Sequence, residues 1–503
     1  MARDPLTAPL ARADAERLLP RYSSARLSVE DRLMRARCLR TVEAWEVAWN
    51  ELTALRDKVK TPLLRARIGQ DMLHLAYYVG ADIDVASLYR AAVRDAGANA
   101  LLVAEIETAW SVHRIATQND ATGALRAAQT ALDSLRTAAA DRDRDLVTVR
   151  VQRQLAHVLA QIAEYPRARE AADVALATSR KLRDDWEIAW STYAAGFTAW
   201  CAGAVEDAEA SLEHAEELVR PFGTNLWRWT VFCLARAKIE QGNLEEGDRL
   251  ARQSGAGDVF ERSYVALACH DVDVALQLVE TASDKERPFS DAVRGIILAR
   301  KGELRPALRL LEDARTALAA AGLDHYAISC AAHAAHIRES LAYGGGRERG
   351  MRIVREIGER GGRGFAWFLP EVAEWLGKVA IGDEKAAPTA KVLRARGETA
   401  RRRSRSSTPA GASEVDGATA HLRMAGLTWR ELDIVRRLSL QHREGEEIDR
   451  DELAQRLGMS PNTLRVHLTR IRAKLDVGDR RGDEAILVAV RRLPAQELGE
   501  LRV

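Results

Sequence analysis

The chain has 503 residues, 47% of them hydrophobic and 29% charged, with a formal net charge of +2. That length exceeds one ordinary core, the composition suits a globular chain, and the near-zero charge excludes a global attraction to nucleic acid. No window approaches an apolar membrane span and the opening stretch lacks a continuous apolar signal core. The five cysteines are far apart with no CxxC pair. A cytoplasmic protein with reduced, mostly buried thiols and no membrane partner is expected.

Residues 1–24 read as an N-terminal extension. From 25 to 382 proline is scarce and apolar residues recur at helical spacing, which predicts an all-α region. One pattern repeats there: a small residue, an apolar one about three later, a second small residue about nine further, then two more at steps of four and three. It reads Ala36, Leu39, Ala48, Leu52, Leu55, and again Ala156, Leu159, Ala168, Ala172, Ala175. It recurs as Gly196, Ala199, Ala208, Leu212, Ala215 and as Gly295, Leu298, Ala307, Leu311, Ala314. Looser copies centre on Ala86, Ala124, Gly247, Ala275 and Gly350, and Gly80, Gly203, Gly242 and Gly302 mark turns between the halves. A helical hairpin explains this pattern. The first helix presents a small residue so that the second approaches closely, and stacking buries the remaining faces.

These positions resemble tetratricopeptide repeats, with spacing between copies that departs from a fixed period. The resemblance implies eight or nine hairpins in a right-handed superhelix whose concave face holds a peptide, a protein segment or a small ligand. Two aromatic pairs, Trp45 with Trp49 and Trp186 with Trp190, could line such a groove; packing between adjacent helices is the expected role. Cys330, His333 and His336, with His325 nearby, have a metal-like look. Three ligands at steps of three swing too far round a helix to converge, so packing is expected here too and no metal. Phosphate-loop, HExxH and GxSxG motifs are absent, so neither an enzyme nor a cofactor is expected.

Residues 383–420 are rich in Ala, Arg, Ser, Thr and Gly and read as a flexible basic linker. Basic and acidic side chains number 51 and 54 in residues 1–382, 8 and 5 in 383–420, and 16 and 14 in 421–503, so the basic excess lies in the last third. Arg401–Arg403 and Arg405 are placed to touch phosphates non-specifically.

Residues 421–503 carry three consecutive helix starts. Thr428 with Glu431 and Asp449 with Glu452 are capping boxes, and Ser460 precedes Pro461 at a first helical position. Hydrophobic staples flank them, and Gly458 leaves a tight turn before the third helix. That helix has one apolar stripe, Leu464, Leu468, Ile471 and Leu475, and an opposite face of basic and small polar groups. Such a helix suits a major groove.

The stretch SPNTLRVHLTRIRAKLDV closely resembles the recognition helix of LuxR-type (FixJ/NarL-type) helix-turn-helix regulators. LTWRELDIVRRL resembles their first helix and DELAQRLGMS their second. The resemblance implies a transcription regulator in which Arg465, Val466 and Thr469 face bases of double-stranded DNA. Ser460, Asn462, Thr463 and Arg470 would lie near phosphates, and Arg472 and Lys474 on the same basic surface are placed there with them. A fourth helix bearing Ile486, Leu487, Val490 and Leu493 would form a homodimer on DNA. The HREGEEID segment is about five residues longer than the family pattern. That length resembles winged-helix domains, and sigma-factor region 4 has a related core, so the subfamily stays open. The layout is similar to MalT-like activators without their ATPase module. The alternative is an interaction scaffold whose terminal unit docks a partner such as RNA polymerase.

Overall fold

The computed structural model describes residues 6–406, apart from 7, 25, 82, 258, 270–271, 284–285 and 365–368, and beyond them Ile434, Val435, Leu438, 450–456 and 461–474. All regular structure among the described residues is helical. The chain divides into two compact units, Met1–Arg401 and Arg402–Val503.

The first unit opens with α1 (Arg12–Leu18), followed by helices that pair as consecutive hairpins. The first five pairs are α2 (Val29–Thr41) with α3 (Trp45–Arg56), α4 (Pro62–Tyr78) with α5 (Val85–Ala96), α6 (Ala100–Gln118) with α7 (Ala121–Leu135), α8 (Arg142–Gln161) with α9 (Tyr165–Leu182), and α10 (Asp185–Cys201) with α11 (Val205–Val219). The next five are α12 (Asn225–Glu240) with α13 (Leu244–Ser254), α14 (Val259–Ala268) with α15 (Val272–Glu280), α16 (Arg287–Arg300) with α17 (Leu304–Ala320), α18 (Asp324–Ser340) with α19 (Gly346–Glu359), and α20 (Pro370–Ala380) with α21 (Ala387–Ser406). This is a tetratricopeptide-like array. The nine copies read from the sequence fall one in each of the first nine hairpins.

Local chemistry sets the helix ends. Ser28, Asp84, Asn99, Asp120, Asp141 and Asp184 each accept a hydrogen bond from the backbone N–H three residues on. The turn inside the hairpins repeats one device. The N–H of Ala44, Glu164, Ala204, Asn243 and Glu303 each returns to the carbonyl five residues earlier. The residue before each of these has positive φ. This is the Schellman closure, and glycine serves it at 203, 242 and 302.

Small residues act where the pattern placed them. A Cβ added at Gly196 would lie 2.7 Å from Leu212 Cγ, and one at Gly295 would lie 2.8 Å from Leu311 Cγ. The same close approach of the paired helices thus recurs in two hairpins. Gly196→Ala gains about 1 kcal/mol of helix propensity but overpacks against a branched carbon held in the core, at a cost of about 1–3 kcal/mol. A lower urea midpoint is the expected result; an unchanged or higher midpoint contradicts the close-packing role.

Two stretches differ from expectation. Residues 387–406 form α21 rather than the start of a flexible linker. Ala390 and Leu393 are fully buried, and Gly377 and Gly397 let α20 and α21 approach backbone to backbone. The stripe is built from small residues and one leucine, which is why composition alone gave no sign of it. Residues 6–24 are also no loose extension: Leu10, Ala11 and Ala15 are buried against Met34 and Cys38 or their neighbours.

The array also closes on itself. Glu43, at the α2–α3 turn, accepts a 2.8 Å hydrogen bond from the backbone N–H of Asn225, capping α12. The N–H of Ala121 donates to Ala321 O, and that of Arg363 to Ala202 O. No helix among the described residues is long and apolar enough to cross a membrane.

In the second unit, α22 (Arg450–Arg456) packs against α23 (Pro461–Lys474). Leu464, Leu468 and Ile471 of α23 are buried, as are Leu453, Ile434 and Leu438.

Candidate functional site

The first helices of successive hairpins surround a chamber of about 400 Å³. Much of its polar lining comes from two helices with the same spacing, and Arg40, Glu43, Glu105, Glu187 and Glu261 of other helices and turns add to it. On α4, Gln70, His74 and Tyr78 face it, with Arg67 and Asp71 behind; on α8 the corresponding places are held by Arg150, Arg153, Gln154, His157 and Gln161. Residues 67, 70, 71, 74 and 78 and residues 150, 153, 154, 157 and 161 share steps of three and four, so each set forms one stripe along its helix.

Five guanidiniums and three carboxylates form a network along the chamber wall, buried except for the partly exposed Arg150 and Arg153. Asp71 lies 3.5 Å from Arg37 and 2.8 Å from Arg40. Glu105 bridges Arg67 at 2.6 Å and Arg150 at 3.5 Å. Glu187 takes Arg150 at 3.0 Å and Arg153 at 2.7 Å. Burial alone would raise the carboxyl pKa values of Glu105 and Glu187, but the arginines on either side outweigh it and hold both below their usual range. Burial and the neighbouring Arg67 push Arg37 down to about 10. His74 is held well below its ordinary value by burial and by Arg40, Arg150 and Arg153, and burial brings His157 to about 4. Both imidazoles are therefore neutral at physiological pH.

The remaining wall is aromatic. Trp186 and Trp190 meet edge to face at 6.2 Å, and Trp190 continues to Tyr193 at 5.8 Å. Trp45 packs on Tyr78 at 4.0 Å, and Arg153 sits over Trp190 at 5.3 Å. At the far end Phe260, Phe289 and Tyr326 cluster, beside the Glu261–Arg236 pair. Of the two tryptophan pairs, Trp45, Trp186 and Trp190 thus line the chamber, while Trp49 packs against the core formed by α2 to α6. Trp45, Trp186 and Trp190 also pack against apolar clusters of the array, because its inner face is where neighbouring helices meet. A space lined by planar aromatics, fixed guanidiniums and neutral amides can bind a ligand that is both apolar and anionic or carbonyl-rich.

The histidines near Cys330 have separate partners. His325 is fully buried, with Nδ1 3.0 Å from the Tyr165 hydroxyl. His333 Nδ1 lies 2.9 Å from Ser329 O, and the His336 ring packs 5.2 Å from Trp375. Among the described residues no trio of His, Cys, Asp or Glu side chains is arranged to hold a metal ion.

In α23, Arg465 and Thr469 are exposed on the face opposite Leu464, Leu468 and Ile471. The Thr469 hydroxyl donates to Arg465 O at 3.0 Å. The backbone of Asn462, Thr463, Val466, Arg470, Arg472 and Lys474 belongs to the same helix. Ser460 and the dimerisation candidates Ile486, Leu487, Val490 and Leu493 lie outside the described residues.

The sequence reading did not single out Arg40, His74, Glu105, Arg150, Arg153 or Glu187. A signal was present: the matching polar stripes of α4 and α8 interrupt what is otherwise the apolar side of each helix. Charged residues on a helix ordinarily mark its solvated face, which masks such a stripe.

No model of a known protein family matches the sequence, and no curated protein matches it. Among solved structures the chain is similar to a Rap protein complexed with competence and sporulation factor, at 15% identity and a TM-score of 0.41, over 69% of this chain and 93% of that one. It is also similar to the Rap conjugation gene regulator of the plasmid pLS20 in complex with the Phr* peptide, at 12% identity and a TM-score of 0.43, over 70% and 97% of the two chains. A third likeness is to the apo form of RapI, at 17% identity and a TM-score of 0.34, over 56% and 100%.

Proposed function

We propose that the protein is a transcription regulator in which the helical array receives an effector in its chamber and the C-terminal unit reads double-stranded DNA. The observation that carries this reading is α23. Leu464, Leu468 and Ile471 are buried, and Arg465 and Thr469 stand exposed on the opposite face. An arginine and a threonine one turn apart suit a guanine edge and a neighbouring thymine methyl. The three helix starts and the LuxR-type resemblance of 426–493 support the same assignment. The chamber supplies the regulatory half, since an aromatic and arginine-lined space inside a binding array has the chemistry of a receptor.

On a duplex selected by the full-length protein, Arg465→Ala is expected to weaken binding by about 1–3 kcal/mol and to relax the preference for one base. Fluorescence anisotropy against that duplex and its single-base variants measures both. Unchanged affinity and base preference would remove Arg465 from the reading face.

A further inference from the structure

The chain places a piece of itself against the arginine network. Leu6 and residues 8–11 precede α1, which begins at Arg12, and with Arg12 they meet the first helices of three hairpins. Arg37 of α2 donates through Nη1 to Leu6 O at 2.8 Å and through Nη2 to Ala8 O. Arg150 of α8 donates through Nη2 to Leu10 O at 2.8 Å. Ala11 follows in extended conformation, φ −79° and ψ 154°. The guanidinium of Arg12 then sits 4.2 Å above the Trp186 ring and 5.2 Å from Phe222.

These contacts have the form of peptide recognition. Carbonyls of alternate residues are read by fixed guanidiniums. The side chains of Leu6 and Leu10 enter an apolar cluster with Met34 and Cys38, and a cationic residue stacks on an aromatic ring. Charge explains why a carbonyl edge suits the place. Three buried and two partly buried guanidiniums share three carboxylates, so donors remain after the ion pairs are made, and the carbonyls of Leu6, Ala8 and Leu10 accept from Arg37 and Arg150. Arg150 and Trp186 also line the chamber. The strip under residues 6–12 is therefore continuous with it.

We propose that residues 6–12 are a built-in occupant of an extended-peptide site, and that the effector is an extended peptide that displaces them. Arg37 and Arg150 read its backbone carbonyls or a terminal carboxylate, the Met34–Cys38 cluster takes an apolar side chain, and Trp186 takes a cationic one. This deepens the assignment of the chamber as the effector site and rests on it.

The test uses a fluorescent synthetic peptide of sequence DPLTAPLARA, which is residues 4–13 of the chain. Protein lacking residues 2–11 is expected to bind it at least about tenfold more tightly than the full-length chain, because the tethered segment competes at a local concentration of order millimolar. Arg150→Ala in the truncated background is expected to weaken that binding about tenfold. Truncated protein of unchanged helicity that binds no better than the full chain overturns the proposal. Since the deletion removes the buried Leu10, hydrogen exchange on the intact chain decides independently. The amides of Ala8, Leu10, Ala11 and Arg12 are expected to exchange by local opening, faster than those of α2 and α8, and faster still with excess peptide. Exchange of the segment only on global unfolding overturns the proposal. Duplex binding is measured on the same samples. Intact duplex binding without peptide exchange refutes the built-in occupant alone, and peptide exchange without duplex binding refutes the DNA-reading assignment alone.

Discussion

Asp71→Ala is expected to destabilise the array by about 3–5 kcal/mol, the cost of leaving buried charge without its partner. Asp71 and Arg37 are both fully buried and Arg40 is nearly so. Removing the carboxylate leaves two guanidiniums facing each other with Arg67 close by. Arg37 is fully enclosed, and Arg40 reaches only the chamber. The pair's net contribution against an apolar replacement is a different quantity and is much smaller. What the substitution measures is the penalty of the orphaned cations. Urea unfolding followed by circular dichroism reads it directly. The surface pair Arg17–Asp14 is the control: Arg17 is exposed and Asp14 half-buried, and Asp14→Ala should cost less than about 1 kcal/mol. A loss of under 1 kcal/mol for Asp71→Ala would mean that the network is hydrated in solution.

Acid is expected to unfold the array before its carboxylates titrate. Four enclosed histidines, His325 and His333 in the core and His74 and His157 partly buried along the chamber wall, are held below the ordinary value of 6.5, and burial is the leading cause in each. His157 and His333 stand at about 4 and His325 at about 3. Below pH 6.5 the unfolded chain takes up these protons and the folded chain does not, so stability falls as pH falls. Above pH 6.5 both states hold neutral imidazoles and the effect vanishes. The window runs from 6.5 down to about 4, where His157 and His333 begin to protonate in place. Each group contributes about 1.4 kcal/mol per pH unit within it, so four remove roughly 4–6 kcal/mol by pH 5.5. That is a large share of a typical folding free energy of about 5–15 kcal/mol. The depressed carboxyls of Glu105 and Glu187 add to the loss only below their ordinary value of 4.5. Urea midpoints between pH 7.5 and 5 measure the slope, and His157→Gln should reduce it by about a quarter. A flat profile over this range would show that the imidazoles are not buried neutral.

The repeat architecture was legible because its signals are local. A hairpin needs small residues at two fixed positions, and Ala156 with Ala168 or Gly196 with Ala208 state that need in adjacent text. Turn residues such as Gly203 and Gly302 do the same for the Schellman closure. The chamber was not legible, because its parts lie far apart. Glu187 is 37 residues from Arg150, and Leu10 is 140. Only the curvature of the array brings them together, and curvature is set by small rotations between hairpins that no single motif encodes. Helix α21 was missed for another reason: alanine and glycine at a helix contact look like linker composition until a partner is known. In α23 the apolar stripe named the buried side at Leu464, Leu468 and Ile471, since a period of 3.6 leaves one face only.

The central claim is that this array governs a sequence-specific DNA reader. Selection of a random duplex library by the full-length protein, followed by sequencing of the retained fraction, tests it most directly. A reproducible enriched motif whose retention is lost in Arg465→Ala is the expected result. Retention that is independent of sequence, or no retention at 150 mM salt, would contradict it and leave a protein-interaction scaffold in its place.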